Sequence, residues 1–420
     1  MSEIDLGYGD QSIKLTLDDR LTVLSIDRAN EKPLTDIEVG SALDSPIASP
    51  PLDELIHPED SVLLVVSDAT RPTGSAQIVN LIVRRLIQSG VAASNLAIIF
   101  ATGIHRPVTP QEKVELLSQF IVQRVRTLAH DAYNRDSLVS LGSTERGTPI
   151  EVNKALTEFS KTILLGGINF HYFAGFTGGR KSICPGLASA ETIERTHMLA
   201  LDFERGGRKA GVGIGRLDGN AVHEECERVA QLVRPTFIIN TVVDELKRVV
   251  RIYCGEWKLA HRTGCESYLN DHSVAIQGTR DLVIVSCGGF PHDINLIQAH
   301  KALEMASYAC NDGGSIILLA ECRDGFGRPD FLKWFESVDS AALEERLVEK
   351  YEVNGQTAWS LLTKAERFHV QLISDLQESD VRSMRMQPAR SLEEALKRAG
   401  DYRNGFIMPR GAAVLPRLTS

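Results

Sequence analysis

The sequence predicts an α/β protein of two α/β domains with mostly parallel sheets, its active site in the interdomain cleft at the carboxyl ends of the strands. Three observations lead there. Short apolar runs alternate with amphipathic stretches at helical spacing, the alternation recurs in two separate blocks, and polar or glycine-rich clusters follow the runs directly. A chain of 420 residues that is 43% hydrophobic and 24% charged has room for two such cores.

"SVLLVVS" (61–67) reads as a buried strand, and "AQIVNLIVRRLIQSG" (76–90) as an amphipathic helix with a glycine stop. "NLAIIFA" (95–101) and "TPQEKVELLSQF" repeat that plan, as do "KTILLGG" (161–167) and "SAETIERTHMLALDF". A fresh βαβ pattern follows in "DLVIVSCGG" (281–289), "NLIQAHKALEMASYACN" and "GSIILLAEC" (314–322), so the expected boundary divides 1–270 from 271–420. The Pro-rich "LDSPIASPPLDE" (43–54) reads as a loop inside the first domain.

The net charge of -9 speaks against nucleic-acid and anionic-membrane partners, which need a basic face. With no apolar run near ~18 residues and no basic, apolar leader, a cytoplasmic protein is expected. The seven cysteines are scattered without a CxxC, which suggests neither a disulfide framework nor a thiolate zinc site.

Four of the strands are followed by unusual residues: "SDATRPTGS", "TGIHRPVT", "INFHYFAGFTGGRK" and "GGFPHDINLIQAHK". Parallel strands would place Asp68, Arg71, His105, Arg106, His171, Arg180 and Lys181 on one rim, with Gln298 and Lys301 facing it from the second domain. The stretch "HYFAGFTGGRKSICPG" reads as an anion cradle, its glycines admitting close backbone approach and Arg180 and Lys181 supplying charge. Plainer readings stand beside these. Asp68 with Thr70 is also a helix cap and turn, His130 with Asp131 a local turn pair, and His197 a packed helical histidine. Gln298 and Lys301 share one helical face, where a lysine in the first turn would oppose the helix dipole.

Taken together, "DATRP", "TGIHRP", "HYFAGFTGGRKSICPG", "RTHMLALD", "GRLDGNAVHEE" and "GGFPHDINLIQAHKAL" resemble the nickel-pincer lactate racemase family, in order and at similar spacing from about residue 60 to 330. The resemblance implies a racemase or epimerase of a 2-hydroxy acid that works by proton-coupled hydride transfer through a keto acid. It implies a nickel-pincer nucleotide, a Ni(II) pyridinium mononucleotide with thioamide and thiocarboxylate arms, covalently linked to Lys181 and made by dedicated cofactor-synthesis enzymes. By the same resemblance His197 is the nickel ligand, and His105 and His171 are the catalytic pair. Asp68 and Arg71 hold the cofactor, with Gly178, Gly179 and Arg180 in its cradle. Gln298 and Lys301 hold the substrate, with Arg71 assisting. The chain departs from the pattern at Ile297, where tyrosine is common, and at Ala221, where proline is common. Two other readings of the residues stay open: a zinc hydrolase using His105, His171 and His197 as ligands, and a non-catalytic mononucleotide carrier.

Overall fold

The structure, a computed structural model, describes residues 3–26, 31–336 and 339–419. The chain forms two contact units, Ala29–Asp202 with Arg208–Leu269, and Met1–Arg28 with Phe203–Gly207 and Asn270–Ser420.

The first unit is built on a six-stranded sheet in the order Val249–Gly255, Phe237–Val243, Lys161–Gly167, Val62–Ser67, Leu96–Ala101, Arg126–Leu128. All neighbours pair in parallel except the edge strand Val249–Gly255, which is antiparallel. The central strands are apolar throughout because both faces are covered. Leu64, Val66, Ile98, Phe100 and Ile163 enter one core, and Leu63, Val65, Ala97, Ile99 and Leu164 the other. The helix Ser75–Gln88 covers the first face with Ile78, Val79, Ile82, Val83 and Leu86, the spacing of a buried helical stripe.

Two local expectations change. The segment 43–54 is not all loop, since a helix Asp36–Asp44 runs into it and Leu52–Leu55 forms a further helical turn. The helix after Leu96–Ala101 is split into Pro110–Leu117 and Gln119–Val122 at Ser118, whose φ of 77° lies in the left-handed region.

The second unit has a six-stranded sheet in the order Gln387–Ala389, His369–Ile373, Cys310–Leu319, Arg280–Ser286, Gly405–Met408, Leu21–Val23, parallel throughout. Residues expected in the first domain therefore lie elsewhere: Leu21–Val23 hydrogen-bonds alongside Gly405–Met408, which ties Met1–Arg28 to the second unit. A three-residue strand is too short to announce itself in the sequence. The helix Leu296–Ala306 begins after Asn295, whose side chain accepts from the Gln298 N–H at 3.0 Å. Lys301 is thus in the second turn rather than the first, and the expected conflict with the helix dipole does not arise. Among the described residues no helix is long and apolar enough to cross a membrane.

Candidate active site

Because Leu96–Ala101, Val62–Ser67 and Lys161–Gly167 are parallel neighbours, the turns after them share one edge of the first sheet. Asp68 leaves its strand buried, and its Oδ2 lies 2.7 Å from His105 Nδ1. Its Oδ1 accepts from the Thr70 N–H at 3.0 Å and the Thr70 hydroxyl at 2.6 Å. Burial alone would raise this carboxyl, but the His105 and Thr70 hydrogen bonds outweigh it and hold the group below the ordinary aspartate range. An ionised Asp68 requires the proton on His105 Nδ1, leaving the Nε2 lone pair as the basic atom. The turn reading of Asp68 and Thr70 holds, and the same carboxylate also meets His105. Asp68→Asn should keep the fold and lower turnover roughly 10²- to 10⁴-fold, since the wrong tautomer becomes accessible; steady-state kinetics on the variant checks this. Arg106 instead pairs with Glu112 at 2.6 Å on the surface.

The third turn is a small hairpin, Phe170–His171 against Gly175–Phe176, followed by the glycine loop. A Cβ on Gly179, at φ 58°, would stand 2.6 Å from the His261 ring, and one on Gly178, at φ 76°, 2.8 Å from Asn240 Oδ1. Asn240 Oδ1 also accepts from the Gly179 N–H at 2.9 Å. These glycines therefore answer first to close packing within the protein. Arg180, expected to face an anion, is 1% exposed and donates to the carbonyls of Ala174 at 2.9 Å, Phe176 at 3.0 Å and Gly178 at 3.2 Å. Its Nη1 also lies 3.1 Å from His261 Nε2. The guanidinium fixes the loop from behind. Arg180→Lys, whose single ammonium cannot serve three carbonyls, should cost about 2 kcal/mol in denaturant unfolding.

Lys181, by contrast, is only half-buried, with its Nζ 5.5 Å from the centre of the Phe173 ring. Burial, together with the Arg180 and Arg71 charges, outweighs nearby thiols and brings its amine down to about 7. Phe173 gathers the neighbouring groups: its ring meets His171 edge-on at 4.4 Å and His197 at 5.0 Å. His171 Nδ1 accepts from the Ala174 N–H at 3.3 Å. Burial, then the charges of Lys181 and Arg71, push His171 well below the ordinary histidine range. His197 is buried in the helix Ala190–Met198, and burial followed by the Lys181 charge lowers it to about 3. Arg71 is exposed, and its backbone N–H closes the turn onto the Asp68 carbonyl at 3.1 Å.

The first sheet thus brings Asp68, Arg71, His105, His171, Lys181 and His197 to one end. In the second unit Lys301 Nζ donates to Gln298 Oε1 at 2.6 Å, and Ile297 is half-buried beside them. Sequence reading did not single out Phe173, Asn240 or His261. The aromatic run "HYF" was the one available signal, because the other two act only through contacts distant in sequence. His130 is structural, buried and 3.1 Å from the Ala188 carbonyl. Among the described residues no three His, Cys, Asp or Glu side chains gather to hold a metal ion, so the three-histidine zinc site is not formed.

A carboxylate-held histidine, a neutral histidine and a lysine of lowered pKa, set at the carboxyl edge of a parallel sheet, define an α/β enzyme of acid–base chemistry. Comparison with known proteins narrows the class. Residues 8–207 match the lactate racemase N-terminal domain and residues 276–415 the lactate racemase C-terminal domain. The chain is 31% identical to a lactate racemase of Thermoanaerobacterium thermosaccharolyticum, over 99% of this chain and 100% of that one. It is likewise 31% identical to a lactate racemase of Lactiplantibacillus plantarum, with the same coverage. The solved structure of the lactate racemase apoprotein from T. thermosaccharolyticum superposes with a TM-score of 0.90 at 30% identity, over 99% of this chain and 100% of that one. A Thermotoga maritima protein, 20% identical over 92% of this chain and 99% of its own with a TM-score of 0.66, shares the fold. The chain belongs to the lactate racemase family.

Proposed function

We propose that the protein racemises or epimerises a 2-hydroxy acid with a nickel-pincer nucleotide held covalently on Lys181. The observation that carries this is His105, its Nδ1 held by Asp68, at one sheet edge with a second histidine and a lysine of lowered pKa. The residues fit the group. An amine near 7 is in large part unprotonated at neutral pH and so nucleophilic enough to carry a thioamide. A buried imidazole that stays neutral is a ready ligand, and Ni(II) in tetragonal N/S surroundings accepts one. When bound, the group supplies an acceptor and donor for the hydride of the α-carbon.

The chain's own residues do the remaining work. His105 Nε2 takes the hydroxyl proton of one enantiomer, and Asp68 stabilises the imidazolium that results. His171 serves the other enantiomer. Amide formation on Lys181 removes the first of the charges that depress His171, while the burial that depresses it most remains. In the second unit Gln298 and Lys301 offer a substrate carboxylate an amide and an ammonium, and Arg71 in the first offers a guanidinium.

The test is a panel of single-enantiomer 2-hydroxy acids offered to protein made alongside the cofactor-synthesis enzymes, read by chiral chromatography. Ile297 has neither the phenol donor nor the ring of the tyrosine common at this position. A substrate other than plain lactate is therefore expected to give the highest kcat/KM. Lactate leading the panel by a wide margin would refute that expectation, and no racemisation of any member would refute the racemase reading.

A further inference from the structure

The segment "GRLDGNAVHEE" lies outside the sheet-edge turns that build the site, yet its asparagine reaches into one of them. Asn220 is fully buried and opens the helix Ala221–Val233, its Oδ1 accepting from the N–H groups of Val222 at 3.1 Å and His223 at 3.3 Å. Serine or aspartate would cap the helix as well. The carboxamide adds what they lack. Its Nδ2 donates to the Phe173 carbonyl at 2.9 Å and to the Arg216 carbonyl at 3.1 Å. A flipped amide would set N–H against N–H and oxygen against carbonyls, so the network fixes its orientation.

The Phe173 carbonyl is one end of a planar peptide whose other end is the Ala174 N–H, and that N–H donates to His171 Nδ1 at 3.3 Å. Because a trans peptide points its C=O and N–H in opposite directions, the amide that holds the carbonyl also aims the N–H. Asn220 thus reaches His171 through two hydrogen bonds that share one peptide and polarise it in the same sense. An Nδ1 that accepts leaves the proton of neutral His171 on Nε2. His105 is set the opposite way, donating from Nδ1 to Asp68 and keeping its lone pair on Nε2. The other carbonyl that Asn220 holds braces the same hairpin. A Cβ on Gly175, at φ 77°, would run into the Arg216 carbonyl, and the Gly215 N–H donates to the Gly175 carbonyl at 3.1 Å.

We infer that Asn220 is a positioning residue for His171, holding the Phe173–Ala174 peptide in the orientation that keeps the His171 proton on Nε2. The inference rests on the acid–base role proposed for His171. Asp68 does for His105 with a carboxylate what Asn220 does for His171 through a peptide, so one ring presents a base and the other an acid.

The test reads the tautomer directly, by proton–nitrogen NMR of the full chain without cofactor, labelled at its histidines, with His171→Gln identifying the signals. Wild type should show His171 protonated at Nε2. Asn220→Ser keeps the helix cap and loses both donors, and it should move a substantial part of His171 to the Nδ1–H form. Asn220→Asp, with nearly the same volume but no donor, should do the same. In loaded enzyme both variants should keep the Lys181 adduct by intact mass and lose roughly tenfold or more in kcat with KM little changed, as expected of a residue that acts through proton transfer. A wild-type His171 protonated at Nδ1, or an unchanged tautomer in both folded variants, overturns the inference whatever the enzyme's reaction. A shifted tautomer with kcat unchanged overturns it too, because the hydrogen-bond chain would then serve the fold alone. The expected tautomer shift in a protein that racemises no 2-hydroxy acid upholds the hold of Asn220 on His171 and defeats the racemase reading instead.

Discussion

Lys181→Ala is expected to bring racemase activity to background and to leave the purified protein at its sequence mass, where the wild type made with the cofactor-synthesis enzymes carries a covalent mononucleotide. The argument begins with exposure and charge. A lysine kept for structure is paired or solvated, yet Lys181 is half-buried, and Arg180 and Arg71 add repulsion to the cost of burial. Its folded-state pKa of about 7 lies below the unfolded value, so the unfolded chain binds more protons between the two. Unfolding stability therefore rises with pH from about 7 to ~10.4, and the residue destabilises the unloaded protein at neutral pH. Lys181→Met should accordingly raise the denaturation midpoint of unloaded protein at pH 7 while abolishing activity, the trade expected where function is held against stability. Arg cannot substitute, because a guanidinium stays protonated and forms no such amide. Intact-mass spectrometry and denaturant titration read the two effects separately. A fully active Lys181→Ala variant, or an unmodified Lys181 in active enzyme, would sink the tether.

What the sequence disclosed follows from the range of the forces involved. Strands such as Val62–Ser67 and Leu96–Ala101 were legible because two-sided burial demands uninterrupted apolar runs. His105, His171 and Lys181 were legible because each sits just beyond such a run, where topology alone brings neighbours together. Direction was not. Arg180 and Lys181 are adjacent in sequence, yet one guanidinium turns inward to three carbonyls and the other amine sits over Phe173. That division depends on Asn240 and His261, which lie 61 and 81 residues from the Gly179 and Arg180 they contact, and no local pattern encodes those contacts. The membership of Leu21–Val23 in the second sheet was hidden likewise, because its partner Gly405–Met408 lies near the other end of the chain. The helix Leu296–Ala306 was legible with its start at Asn295, but Lys301 stands in its second turn, not its first.

Racemisation in heavy water should leave the α-carbon of the product largely unlabelled. The expectation follows from what His105 and His171 can each do. Asp68 commits His105 Nδ1 to donation, so that ring acts through Nε2 alone. His171 is committed at Nδ1 by the Ala174 N–H. Each histidine thus offers the substrate its Nε2: His105 presents a lone pair there, and neutral His171, whose Nδ1 accepts, presents an N–H. If the two worked directly on carbon, one removing the α-proton and the other delivering a proton to the opposite face, the new C–H would come from a histidine that had exchanged with solvent, and the product would carry deuterium. A hydrogen that leaves and returns with its electron pair does not exchange with water. The uncatalysed acidity of a carbon beside a carboxylate also argues against the first route, since neither histidine is a base strong enough to remove that proton. His105→Ala and His171→Ala should each depress both directions by on the order of 10²- to 10⁴-fold, because each is the base for one enantiomer and the acid for the other. Chiral chromatography with mass detection of the α-position reads label and rate together. Stoichiometric deuterium at the α-carbon would overturn the assignment of the two histidines to the hydroxyl proton.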